Sequence, residues 1–94
     1  MTEYYVYILT NNYKTLHTGI TTDLQKRIYE HKSKEASELT SIFATIKLVY
    51  LEKAPDIHAA IQRVSQIRAF MRTEQIALIE ASNPNWDDLS AGWS

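Results

Sequence analysis

The sequence predicts an α+β fold: a three-stranded antiparallel sheet flanked by helices, in the order β-β-α-β-α-α. Three observations carry this expectation. The run Tyr4 to Leu9 is aromatic, aliphatic and apolar at every position, as a strand covered on both faces requires. The turn-forming stretch Asn11 to Lys14 separates it from a second strand-like run, Thr15 to Ile20, which makes a hairpin. Later in the chain, apolar residues recur at helical spacing rather than in alternation. A chain of 94 residues supports one core, so residues 1–94 are expected to form a single domain.

The remaining elements follow from local chemistry. Thr22 with Gln25 three positions on forms a capping box, and Asp23 suits the positive end of a helix dipole. The spacing predicts a helix from Asp23 to about Lys34, with Leu24, Ile28 and His31 on one stripe and Arg27 beside it. Ser33 to Ser41 is polar and reads as a loop, and Ile46 to Leu51 reads as the third strand. Pro55 and Asp56 open a long helix with Asp56 as N-cap and an apolar stripe of Ile57, Ala60, Ile61, Val64, Ile67 and Met71. A break near Thr73 starts a further helix, Glu74 to about Ala81, which Asn83 and Pro84 stop. The tail aromatics Trp86 and Trp93, with Leu89, are expected to dock on the core.

Composition removes several chemistries. The chain has no cysteine, so thiolate nucleophiles, disulfides and cysteine zinc sites are out, and a cytoplasmic setting is expected. Its two glycines, Gly19 and Gly92, are too far apart for a P-loop, a dinucleotide fingerprint or a nucleophile elbow. His17, His31 and His58 do not form a zincin pair. The apolar run near the start is too short to cross a bilayer and lacks a basic leader, so no membrane role is expected. Net charge is −1, which argues against broad electrostatic binding of nucleic acid, although Lys26, Arg27, Lys32 and Lys34 cluster against the single acid Glu30.

Taken in order, certain residues resemble the GIY-YIG endonuclease family, in its small stand-alone branch, and are similar to the nuclease domain of bacterial excision-repair incision proteins. Tyr5, Val6 and Tyr7 match the first family triplet, and His17, Thr18 and Gly19 the second. Leu24, Arg27 and His31 follow the family's helix pattern. Ala60 to Arg63, Gln66, Ile76 to Glu80 and Asn83 to Trp86 also match. For an intact member the resemblance implies hydrolysis of DNA phosphodiesters, with tyrosines at the attacking water, the arginine on the developing negative charge and a glutamate holding one divalent metal.

The resemblance places catalytic roles on Tyr7, His17, Arg27 and His31. By their charge Lys26, Lys32, Lys34, Arg63, Arg68 and Arg72 are candidates to track a phosphate backbone, and Arg68 and Arg72, four apart, are expected to share a helix face. Two positions depart from the pattern. His17 stands where the second tyrosine belongs, and Val64 stands where the metal-binding glutamate belongs. Losing about 4–6 kcal/mol of metal stabilisation slows a reaction on the order of 10³- to 10⁴-fold. The expectation is therefore a nucleic-acid-binding domain, DNA first, with hydrolysis weakened or lost and no resident cofactor. The alternatives are an active Mg²⁺ or Mn²⁺ enzyme using Glu30, Glu52 or Glu80; metal-free RNA cleavage by His17 and His31; and a protein-interaction module.

Overall fold

The computed structural model describes residues 2–11, 13–37 and 46–93, and the side chains of 34–37 are outside that description. Tyr4–Thr10 (β1) is the centre of the molecule. It pairs antiparallel with His17–Thr21 (β2) on one edge and with Lys47–Ala54 (β3) on the other. With both edges paired and both faces covered, Val6, Tyr7, Ile8 and Leu9 are all 2% exposed or less. Side chains alternate along a strand, so successive residues enter different cores. Val6 and Ile8 join Val49, Ala60, Val64, Ile67 and Ile79; Tyr7 and Leu9 join Leu24, Ile28 and Leu48.

The first core lies under Ile57–Ala69 (α2) and Arg72–Ser82 (α3), the second under Leu24–Ser37 (α1). The expected order β-β-α-β-α-α is the one observed. Several boundaries differ. The cap of α1 is Asp23 rather than Thr22: Asp23 Oδ1 accepts the Lys26 N–H at 3.2 Å, and Thr21 Oγ1 accepts the Asp23 N–H at 3.1 Å. The helix then continues to Ser37, beyond the expected end at Lys34; the rest of the expected loop, 38–41, is outside the described residues. On β3, pairing extends past Leu51 to Ala54 because Tyr4 and Tyr5 of β1 face Ala54 and Lys53.

Asp56 caps α2 as expected, accepting the Ala59 N–H at 2.8 Å. Its buried stripe is narrower than the sequence implies: Ala60, Val64 and Ile67 are buried, whereas Ile57 and Ile61 are 38% and 51% exposed. Met71 is not in α2 at all. The chain turns at Phe70, and Met71 becomes the N-cap of α3, its N–H donating to Glu74 Oε1 at 2.9 Å. Thr73 therefore lies inside α3 and does not cap it.

Polar contacts, more than aromatic docking, fix the tail. Buried Asn83 donates through Nδ2 to the carbonyls of Val49 and Asp87. Asp88 accepts from Lys32 Nζ of α1 at 2.9 Å, from the Leu48 N–H of β3 at 3.0 Å and from the N–H and hydroxyl of Ser90. Leu89 returns its own N–H to the Leu48 carbonyl at 2.7 Å. Trp86 does pack against the core, but Leu89 and Trp93 are 42% and 41% exposed. No helix among the described residues is long and apolar enough to cross a membrane.

Partial burial pushes the Asp88 carboxyl upward. Hydrogen bonds from Ser90, Lys32 and the Leu48 N–H outweigh it and hold the pKa at about 2, below the ordinary 3.8. A carboxyl depressed on folding contributes stability above its unfolded pKa and loses it as pH falls through the folded one. Urea unfolding should therefore show a stability increment intact above pH 3.8 that disappears toward pH 2. Asp88→Ala should remove that increment and cost about 2 kcal/mol at neutral pH, because the Leu48 N–H and Lys32 lose their shared acceptor.

Candidate functional site

The four residues expected to carry chemistry meet on the α1 side of the sheet. Tyr7 comes from β1, His17 from β2, and Arg27 and His31, one helical turn apart, from α1. Arg27 Nε donates to Tyr7 Oη at 3.3 Å. The His31 ring centroid lies 6.4 Å from that of Tyr7 and 5.7 Å from that of His17. Tyr7 is fully buried, His31 is half-buried, and His17 and Arg27 are exposed. The hydrogen bond to Tyr7 pushes the already high Arg27 pKa further up, so the guanidinium is a permanent cation.

Gly19 makes this arrangement possible. It stands directly opposite Tyr7 in the β1–β2 ladder, and the tyrosine side chain crosses over it. A Cβ at residue 19 would lie 2.5 Å from Tyr7 Oη and 2.6 Å from Cζ, inside any permitted contact. A glycine within a strand often marks such a close approach, and that was the available sequence signal. Beside the cluster, a cleft of about 170 Å³ is lined by Leu9, Thr10, Asn11, Thr15, His17 and His31.

Val64 is 5% exposed, so its side chain points inward as the periodicity implies. It packs with Val6, Ile8 and Ile67, in the core on the other sheet face from Tyr7. Two of the three carboxylates considered as substitutes are engaged elsewhere. Glu52 accepts from Tyr50 Oη at 2.6 Å and from Arg63 Nε at 3.0 Å, and Glu80 accepts from Trp86 Nε1 at 2.7 Å. Glu30 lies on α1, exposed, in the same surface depression as Arg27. Among the described residues no group of three His, Cys, Asp or Glu side chains is arranged to hold a metal ion. At residue 64, where the family resemblance puts the metal-binding glutamate, the side chain carries no oxygen to offer a divalent cation.

The basic residues do not form one patch. Lys26 is exposed on α1, Lys32 is paired with Asp88 at 2.9 Å, and the Lys34 side chain is outside the described residues. Arg63 is bound to Glu52 and Gln66. Arg68 Nη2 donates to the Thr18 carbonyl at 2.8 Å, and Arg72 Nη2 donates to the Lys14 carbonyl at 2.6 Å. Arg68 and Arg72 do not share a helix face, because the break at Phe70 puts Arg72 at the start of α3. Both arginines instead brace the β1–β2 hairpin from the α2 side. His58 is exposed in the first turn of α2, as expected.

Fold and site together define a small three-stranded α+β domain with a tyrosine, an arginine and two histidines gathered on one sheet face. The family model described as the GIY-YIG catalytic domain matches residues 3–76, and the chain belongs to the GIY-YIG family. A UPF0213 protein of Syntrophus aciditrophicus is 39% identical over 85 residues, covering 89% of this chain and 97% of that one. A second, from Natronomonas pharaonis, is 32% identical over 77 residues, covering 82% and 91% respectively. The solution NMR structure of a UPF0213 protein from Bacillus halodurans superposes with a TM-score of 0.61 at 22% identity, over 98% of this chain and 99% of that one. That likeness shows the same fold.

If Gly19 is needed for the passage of Tyr7, Gly19→Ala should displace the ring, break the Arg27 contact and cost about 1–3 kcal/mol by overpacking. Thermal melting and the tyrosine near-UV signal would report it. Wild-type stability in that variant would refute the close-packing account.

Proposed function

We propose that this domain binds nucleic acid, DNA in the first place, through the cluster of Tyr7, His17, Arg27 and His31, and that metal-dependent phosphodiester hydrolysis is weakened or lost. The observation that carries the reading is a division between the two sheet faces. On one face stand the Tyr7–Arg27 contact and two imidazoles, which suit an anion; on the other, residue 64 is hydrocarbon inside the core.

The chemistry supports binding in a direct way. Arg27 spends Nε on Tyr7, which fixes the plane of the guanidinium and leaves its Nη donors for an oxyanion. A positioned arginine offers a phosphate two parallel charge-assisted hydrogen bonds, at lower entropic cost than a free side chain. His17 adds an exposed imidazole at the same place, with the His31 ring 5.7 Å from it. Hydrolysis needs more: an in-line water and relief of charge on the leaving oxygen, and at the family's glutamate position Val64 has no oxygen with which to hold a metal for that purpose. A cytoplasmic setting, in keeping with the absence of cysteine, belongs to the same reading.

Fluorescence anisotropy with labelled DNA tests binding. Arg27→Ala should weaken affinity about tenfold, the scale of one lost charge-assisted contact. Undiminished affinity in that variant would leave the protein-interaction alternative standing. A plasmid-nicking assay with Mg²⁺ and Mn²⁺ tests the second half; robust nicking by the pure protein, abolished by a chelator, would overturn it.

A further inference from the structure

Three surface depressions on the α1 side adjoin one another, and an aromatic residue stands at the boundary between each neighbouring pair. The first, of about 470 Å³, is lined by Arg27, Glu30, His31 and Tyr29. Tyr29 also lines the second, of about 220 Å³, as does Trp93. Trp93 in turn lines the third, of about 450 Å³, together with Tyr5 and Leu51. Together the three outline a shallow groove between the Arg27 guanidinium and the tail, with Tyr29 and Trp93 at the boundaries between its parts. Its rings are open to solvent: Tyr29 is 66% exposed and Trp93 41%.

We propose that this groove holds a single strand of DNA, with one phosphate at Arg27 and the neighbouring bases stacked on Tyr29 and Trp93. The inference rests on the reading of Arg27 as a phosphate contact and adds the form of the nucleic acid. In a duplex the base faces are already stacked on one another, so exposed rings gain little from it. A single strand presents those faces freely, and aromatic side chains beside a basic group form a sequence-tolerant platform for it. The charge distribution agrees. Lys32, at the groove wall, is neutralised by Asp88, Glu30 sits near Arg27, and the whole chain carries a net charge of −1. Few phosphates can be neutralised by such a surface, so stacking must supply much of the affinity and the salt dependence must be shallow.

The test compares one short oligodeoxynucleotide, single-stranded and annealed to its complement, by anisotropy across a salt series. The single strand should bind about tenfold tighter or better, with a shallow salt slope. Tyr29→Ala and Trp93→Ala should each weaken single-strand binding by about 5- to 100-fold and leave duplex binding unchanged, while Trp93→Phe keeps most of the affinity. Tyr29 is mostly exposed, so its variant tests the groove without threatening the fold. Equal binding of both forms, or alanine variants that bind single strands like wild type, would overturn the groove. If binding then still falls in Arg27→Ala, the phosphate reading survives alone; if neither form binds at all, both readings fail.

Discussion

The structure depends on β1 being buried from every direction. A strand with neighbours on both edges and helices on both faces has no solvent-facing side, so each residue along it must satisfy one of two separate cores. Val6 and Ile8 serve the α2 side with Val64 and Ile67, and Tyr7 and Leu9 serve the α1 side with Leu24 and Ile28. The pairing shift between Ile8 and Leu9 on the β3 edge adjusts the register without undoing that division. One side is almost wholly hydrocarbon and stabilises the fold. The other is built around a phenol whose hydroxyl needs a polar partner, since burying it without one would cost free energy. Arg27 is that partner, and a structural demand of the strand thereby fixes a cation at the surface.

How much of this the sequence could reveal depends on whether the determining interaction is periodic. The apolar run of β1, the Asp56 cap and the spacing of Arg27 and His31 are local signals, and each appears in the structure where the pattern puts it. The coming together of Tyr7, Arg27, His17 and His31 was legible through the family pattern, because the order of motifs encodes a known topology. What periodicity could not convey were hydrogen bonds between distant segments. The Asn83 and Asp88 anchors join the tail to β3 and α1, and a Pro84-flanked asparagine reads locally as nothing more than a helix stop. Met71 fits the helical stripe numerically, yet the chain turns one residue before it. Arg68 and Arg72 carry the charge of a phosphate contact but donate to carbonyls of the β1–β2 hairpin.

The same contrast bears on net charge as a guide to partners. Ten basic side chains sound like a surface for a polyanion, but Lys32, Arg63, Arg68 and Arg72 each have an internal acceptor. Such contacts leave some donors over, and surface ion pairs are weak enough to open. Even so, a ligand reaching these residues would have to compete with contacts that hold the hairpin and tail in place. Arg27 differs from Lys32 and Arg63 in that its partner is the Tyr7 hydroxyl rather than a carboxylate, and from Arg68 and Arg72 in that its contact holds neither hairpin nor tail.

Position 64 shows what the two-faced architecture asks of a side chain. A valine there is 5% exposed among Val6, Ile8 and Ile67, and burying it stabilises the domain by about 1.5–2 kcal/mol. A carboxylate in the same place would need a charged or hydrogen-bonding partner to offset its desolvation. The neighbouring guanidinium, Arg63, is already committed to Glu52, which also accepts from Tyr50. Hydrocarbon at 64 and an internally paired Arg63 are therefore mutually consistent: with no acid to serve at 64, the arginine is free to lock β3 to α2. On the other face the side chain at 64 does not reach Tyr7, whose contact with Arg27 is set by Gly19 and the pitch of α1. The side chain at residue 64 and the Tyr7–Arg27 contact are thus set independently, because the two are built on opposite sides of the same strand.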